Sequence, residues 1–172
     1  MKIFISLLLC VLLLTGCGKE PVLETVNDVI AQPVSAQVYS PVFTLPKDVA
    51  VTTMESGQSG RIYFCDGYTV TMQSFPSGDL NRTILDATGF SGDALTLVKT
   101  TDEGYDRIQC VWSTVEEEGE QLGRLTLLDD GVNHHVLACM TPAEDASALA
   151  PEIQQLMDSF RLVSPEALNT GS

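Results

Sequence analysis

Hydrophobic and polar positions alternate in two runs, Arg61-Ile62-Tyr63-Phe64-Cys65 and Tyr68-Thr69-Val70-Thr71-Met72, divided by Asp66-Gly67. Asp-Gly accepts the positive φ angles of a type I′ turn, whose twist matches that of paired strands, so this pattern predicts a β-hairpin. After Pro76 the period lengthens. Leu80, Ile84 and Ala87 fall on one side of a helix over 79–88, with Asp79 placed to cap its start and Gly89 to close it in the left-handed conformation. Four strand-like runs follow near 93–101, 106–115, 121–129 and 132–140, separated by Glu103-Gly104, Glu118-Gly119 and Asp130-Gly131, the pattern of an antiparallel meander. From Pro151 the period is helical again, with Ile153, Leu156, Met157 and Phe160 at i, i+3, i+4 and i+7 and Pro151 suited to the first turn. Thr141-Pro142-Ala143-Glu144 has the spacing of a capping box that starts a separate short turn. Hairpin, helix, meander and helix together predict an α+β domain, with helices packed on an antiparallel sheet.

The N-terminus has a different pattern. Lys2 precedes an apolar run, Ile3 to Leu14, too short to span a bilayer, and small residues follow it. The four residues Leu14-Thr15-Gly16-Cys17 resemble the lipobox of bacterial lipoproteins. That resemblance implies a signal peptide over 1–16 that is removed, and a diacylglyceryl group on Cys17. Two acyl chains suffice for stable attachment, so the protein is expected outside the cytoplasm, anchored to the bacterial membrane. Residues 17–42, with scattered Pro, Gln, Ser and Val, read as the lipidated cysteine and a flexible spacer. The folded domain is then 43–164 and the tail 165–172.

Charge narrows the choice of partners. The chain carries nine basic and 23 acidic residues, a net charge of −14, and loses one more positive charge if Lys2 leaves with the signal. Such a surface repels phosphate backbones, which argues against nucleic acid as a partner. The one dense acidic run, Glu116-Glu117-Glu118 with Glu120, reads as a solvated turn. Cys10 lies in the signal and Cys17 in the anchor motif, leaving Cys65, Cys110 and Cys139. All three sit among strand-forming residues and are expected as buried thiols, with one disulfide as the alternative.

The arrangement also resembles PsbP/Mog1-like domains. Phe43-Thr44-Leu45-Pro46, Leu80 to Gly89, and Asp130 through Leu162 with its closing Asp158-Ser159-Phe160-Arg161-Leu162 carry the likeness. The resemblance implies a scaffold for protein contacts and transfers no catalytic residue.

Adjacent His134 and His135 are the only histidines and the first candidates for metal or acid–base chemistry. A two-residue Asp130-Gly131 turn would set Asp129 opposite Val132, Leu127 opposite His134 and Thr126 opposite His135. Neighbours in a strand face opposite ways, so one histidine would share a face with Leu125, Leu127 and Val136 and the other with Arg124 and Thr126, unable to hold one metal together. Gly57-Gln58-Ser59-Gly60-Arg61 and Gly89-Phe90-Ser91-Gly92-Asp93 miss the nucleophile-elbow pattern by their last glycine and read as loops. Cys65 beside its turn lacks the basic surroundings of a reactive thiol. Trp112, Tyr63, Phe64 and Tyr68 read as core aromatics rather than a groove. No P-loop, Rossmann glycine pattern, HExxH or CxxC occurs, and no cofactor is called for. The expected function is a non-catalytic module, anchored to the membrane through lipid, that binds an unknown protein or small ligand. An envelope-associated hydrolase pairing His134 or His135 with an acid such as Asp129 is the alternative.

Overall fold

The computed structural model describes residues 39–47, 49–53, 60–102 and 104–164. Cys17, the signal segment, most of the spacer and the tail lie outside the described residues. Nine strands are described: β1 (Ser40–Val42), β2 (Ala50–Thr53), β3 (Gly60–Cys65), β4 (Tyr68–Pro76), β5 (Val98–Asp102), β6 (Tyr105–Glu116), β7 (Gly119–Asp129), β8 (Asn133–Pro142) and β9 (Arg161–Val163). Two α-helices join them, α1 (Leu80–Thr88) and α2 (Ala146–Ser159), with a 3-10 turn at Gly92–Ala94.

Seven strands form one antiparallel sheet in the order β2-β3-β4-β8-β7-β6-β5, and β1 pairs with β9 in a separate ribbon. The expected hairpin is β3–β4, with Cys65 opposite Tyr68 and Gly67 at φ 80°. The expected meander is β5–β8. Pairing of β4 with β8, from Thr69↔Met140 to Pro76↔Asn133, fuses the two into one sheet. That sheet with its two helices is the α+β architecture read from the sequence.

Each face of the sheet carries one helix. Val70, Met72, Leu137 and Cys139 pack beneath Ile153, Leu156 and Met157 of α2, and beneath Phe160 just after it. On the opposite face Ile108, Trp112, Leu125, Leu127 and Val136 pack beneath Leu80 and Ala87 of α1 and the following Phe90, Leu95 and Leu97. Strand β8, enclosed from both sides, is buried without a break from His134 to Cys139, the pattern of a strand covered on two faces rather than one. Full burial of a side chain such as Phe160, 0% exposed, contributes roughly 1.5–3 kcal/mol.

Helix α1 starts and stops where its caps place it. The Asp79 carboxylate accepts from the Arg82 amide at 3.1 Å, and Gly89 at φ 78° donates to the Leu85 carbonyl. Other boundaries differ from expectation. Helix α2 begins at Ala146, so Pro151 is its sixth residue and lies beyond the first turn, in which it was expected. The Leu149 amide bonds the Asp145 carbonyl, and the Leu149 side chain joins the core, fixing a turn ahead of the proline. Thr141 starts no capping box, because it lies in β8 and donates to the Gly67 carbonyl. The segment expected as a strand from 93 opens as the 3-10 turn, and β5 begins only at Val98. Residues 40–42, assigned by sequence to the spacer, form β1.

Gly123 lies opposite Trp112, whose indole covers it, and a Cβ there would collide with the ring. Overpacking of this kind costs about 1–3 kcal/mol. Gly123→Ala is therefore expected to lower the urea midpoint and to shift the emission of Trp112, the only tryptophan in the chain.

Candidate functional site

The two histidines point to opposite faces, as strand geometry requires, but in a different register from the one expected. Asp129 faces His134 and Leu128 faces His135. The turn is longer because the Asp130 carboxylate accepts from the amides of Val132 and Asn133 at 2.8 and 2.7 Å, bending the chain around its own side chain. The shift is two residues, so each histidine keeps the expected face.

His134, 2% exposed, lies under α1. Its Nδ1 is 2.8 Å from the Thr83 hydroxyl, and its Nε2 is 3.4 Å from Ser77 Oγ and 3.6 Å from Asp129 Oδ2. His135, 4% exposed, lies on the α2 face. Its Nδ1 is 2.9 Å from Ser74 Oγ and its Nε2 3.4 Å from Asp130 Oδ2. The structure thus assembles two hydroxyl–histidine–carboxylate rows, back to back; the pairing of His134 with Asp129 was among those the sequence suggested, while Asp130 and the hydroxyls of Thr83, Ser77 and Ser74 were not. Their geometry suits fastening. Charge-assisted N–H to carboxylate contacts lie near 2.7–2.9 Å, whereas both imidazole–carboxylate contacts are longer, and both carboxylates already accept turn amides. The rows tie the β7–β8 turn to β4 on one face and to α1 on the other.

Among the aromatics, Tyr63, Tyr68 and Trp112 are core residues, while Phe64 is half exposed on the α1 face beyond the reach of that helix. Cys65, Cys110 and Cys139 are free thiols; Cys110 and Cys139 are buried as expected, whereas Cys65, beside the hairpin turn, is only partly buried. Burial raises the Cys65 thiol above its ordinary value, although its contact with the Tyr68 hydroxyl works against this. Tyr68 in turn donates to Glu152 Oε1 at 2.7 Å. Burial pushes Cys110 up to about 11 and Cys139 up to about 12. Glu116 and Glu118 stand at the β6–β7 hairpin end, on the rim of a 530 Å³ depression shared with Cys65 and Met140. Gly57 to Ser59 lie outside the described residues. Ser91 caps the 3-10 turn in a loop.

The feature suited to binding is one that sequence reasoning did not find. Helix α2 shares its core cluster mainly with β3, β4 and β8 and reaches β6 only at its Tyr105 end, leaving the stretch around Val98 and Val111 open. Beside it a groove of about 340 Å³ is left, lined by Val98, Gln109, Val111, Arg124, Gln154 and Met157. Val98 and Val111 are 54% and 67% exposed, while Thr126 forms a fully buried floor and accepts from Gln109. Arg124 Nη1 reaches Gln154 Oε1 on α2 at 3.3 Å. In sequence, Val111 and Val98 look like ordinary buried strand positions. Only the place where the helix ends exposes them.

No protein-family model matches the sequence, and no curated protein matches it. Solved structures do match in shape. The cyanobacterial PsbP (CyanoP) of Synechocystis sp. PCC 6803 superposes with a TM-score of 0.55 at 9% identity, covering 76% of this chain and 96% of its own. The fold is PsbP-like. A Bacteroides thetaiotaomicron protein gives a TM-score of 0.46 at 14% identity, over 73% of this chain and 46% of that one. The Saccharomyces cerevisiae Ran-binding protein Mog1p gives 0.43 at 9% identity, over 73% and 95%. At such identities the likeness is one of fold. The PsbP-like architecture is the one the sequence resemblance implied.

The raised thiols give this fold an alkaline limit. Folded Cys110 and Cys139 hold their protons to about pH 11 and 12, while unfolded thiols ionise near 9. The folded state therefore binds more protons in that window, and stability falls as pH rises through it. Urea midpoints are expected to drop between pH 8.5 and 10.5, and to drop less in Cys110→Ala/Cys139→Ala.

Proposed function

We propose that this chain is a lipid-anchored extracytoplasmic lipoprotein whose PsbP-like domain is a non-catalytic module binding a protein or small ligand in the groove beside α2. The observation that carries the reading is the half-covered sheet. Val98 and Val111 stay exposed in a concave strip next to a buried floor, and concave, mostly apolar sites with a few polar groups are where ligands settle. The lipobox-like Leu14-Thr15-Gly16-Cys17 and the following spacer support the anchor. The acidic surface disfavours nucleic acid.

The hydrolase reading has one observation on its side, the order Ser74, His135, Asp130 at 2.9 and 3.4 Å. Against it stand a histidine 4% exposed and an Asp130 carboxylate with no exposed surface, where substrate needs reach of the base or nucleophile.

In cells, Cys17→Ser is expected to abolish incorporation of labelled fatty acid and to release the protein from the membrane fraction. A photo-crosslinking residue at Val111 is expected to give a discrete adduct, and one at exposed Leu85 on α1 to give none. Equal capture at both positions would count against the groove. A fluorophosphonate probe is expected to leave Ser74 unlabelled, and labelling lost in Ser74→Ala would establish the hydrolase instead.

A further inference from the structure

The groove has a chemistry of its own, set by one cation. Among the described residues two exposed cations meet carboxylates directly, Arg82 with Asp86 at 3.0 Å and Lys99 with Asp106 at 2.6 Å, and exposed Arg161 donates to the Ser159 carbonyl. Arg124 instead meets a neutral amide, the Gln154 oxygen at 3.3 Å, and Gln154 is held in that orientation by donating its own N–H to Asp158 at 2.8 Å. The guanidinium, half-buried at one wall, has five donors in a planar fork matched to a carboxylate. Around it the groove is aliphatic. Val98 and Val111 stand on the strands, Met157 on the helix, and Thr126 lies beneath. A guanidinium in an aliphatic trough fits a ligand with an anionic head and an apolar body.

Resting on the reading of this groove as a binding site, we infer that it takes a small apolar carboxylate. The head pairs with Arg124 in place of the weak amide contact, and the alkyl or aryl body lies over Val111 and Val98. Charge complementarity selects the carboxylate over an amine of the same shape. The volume of about 340 Å³ accommodates a chain of roughly eight carbons and is small for a folded partner.

The unlipidated polypeptide from Gly18 to Ser172, which contains every described element, is titrated with octanoate, octanol and octylamine while its amide resonances are followed by NMR. Octanoate is expected to shift Val98, Val111 and Thr126 saturably. A charge-assisted pair predicts binding roughly tenfold tighter than octanol, and octylamine is expected to bind weakest. Arg124→Gln should reduce octanoate to the octanol level while leaving octanol unchanged, and Val111→Glu should abolish binding of both. Resonance dispersion verifies that each variant is folded. Equal binding of octanoate and octanol, shifts confined to other surfaces, or an unchanged Arg124→Gln would overturn the assignment. So would a concentration-dependent dimer broken by Val111→Glu, since a second copy would then fill the groove. If octanoate fails while the Val111 crosslink in cells persists, the ligand class is wrong and the binding site stands. If both fail, both are wrong.

Discussion

Pairing of β4 with β8 is the contact on which the rest of the structure depends. The two strands lie about sixty residues apart in the chain, yet they meet over eight residue pairs and join a local hairpin to a local meander. Without that seam each half would have a sheet edge where the core now lies, and neither helix would have a full surface to cover. The histidine rows sit at one end of the seam. Ser74 on β4 holds His135 on β8, and Thr83 of α1, the helix that follows β4, holds His134. A buried polar group left without its partner costs about 1–3 kcal/mol, so these contacts make the register of the seam costly to change.

Features with a local physical cause were legible in the sequence. Asp66-Gly67 implied a two-residue turn because few other pairs accept its φ angles, and Asp79 and Gly89 bounded α1 because each satisfies backbone groups the helix leaves open. The assignment of faces to His134 and His135 survived a wrong register, since a slip of two residues preserves which way a side chain points. What failed was set from a distance. Pro151 marked no helix start, because Leu149 gains from packing on the core ahead of it. Three- and four-residue strands such as β1, β2 and β9 are too short to have a period of their own and exist through their partners.

The groove was illegible for the same kind of reason. Nothing in Val-Trp-Ser around residue 111 separates a covered strand from an open one. The difference lies in two helices, each too narrow for a seven-stranded sheet, set over different strands on opposite faces. One leaves Val98 and Val111 uncovered, the other Phe64. Exposed aliphatic surface of this kind is a cost in an isolated domain and an asset to one that binds.

The β1–β9 ribbon has a mechanical consequence. Residues at the two ends of the described chain, Ser40 and Val163, face one another in a ladder of only three pairs. Tension arriving from the N-terminal side would enter at Ser40 and load this ladder before it reached the large sheet. With three pairs against the eight of the β4–β8 seam, the ribbon is the first contact such a load would meet.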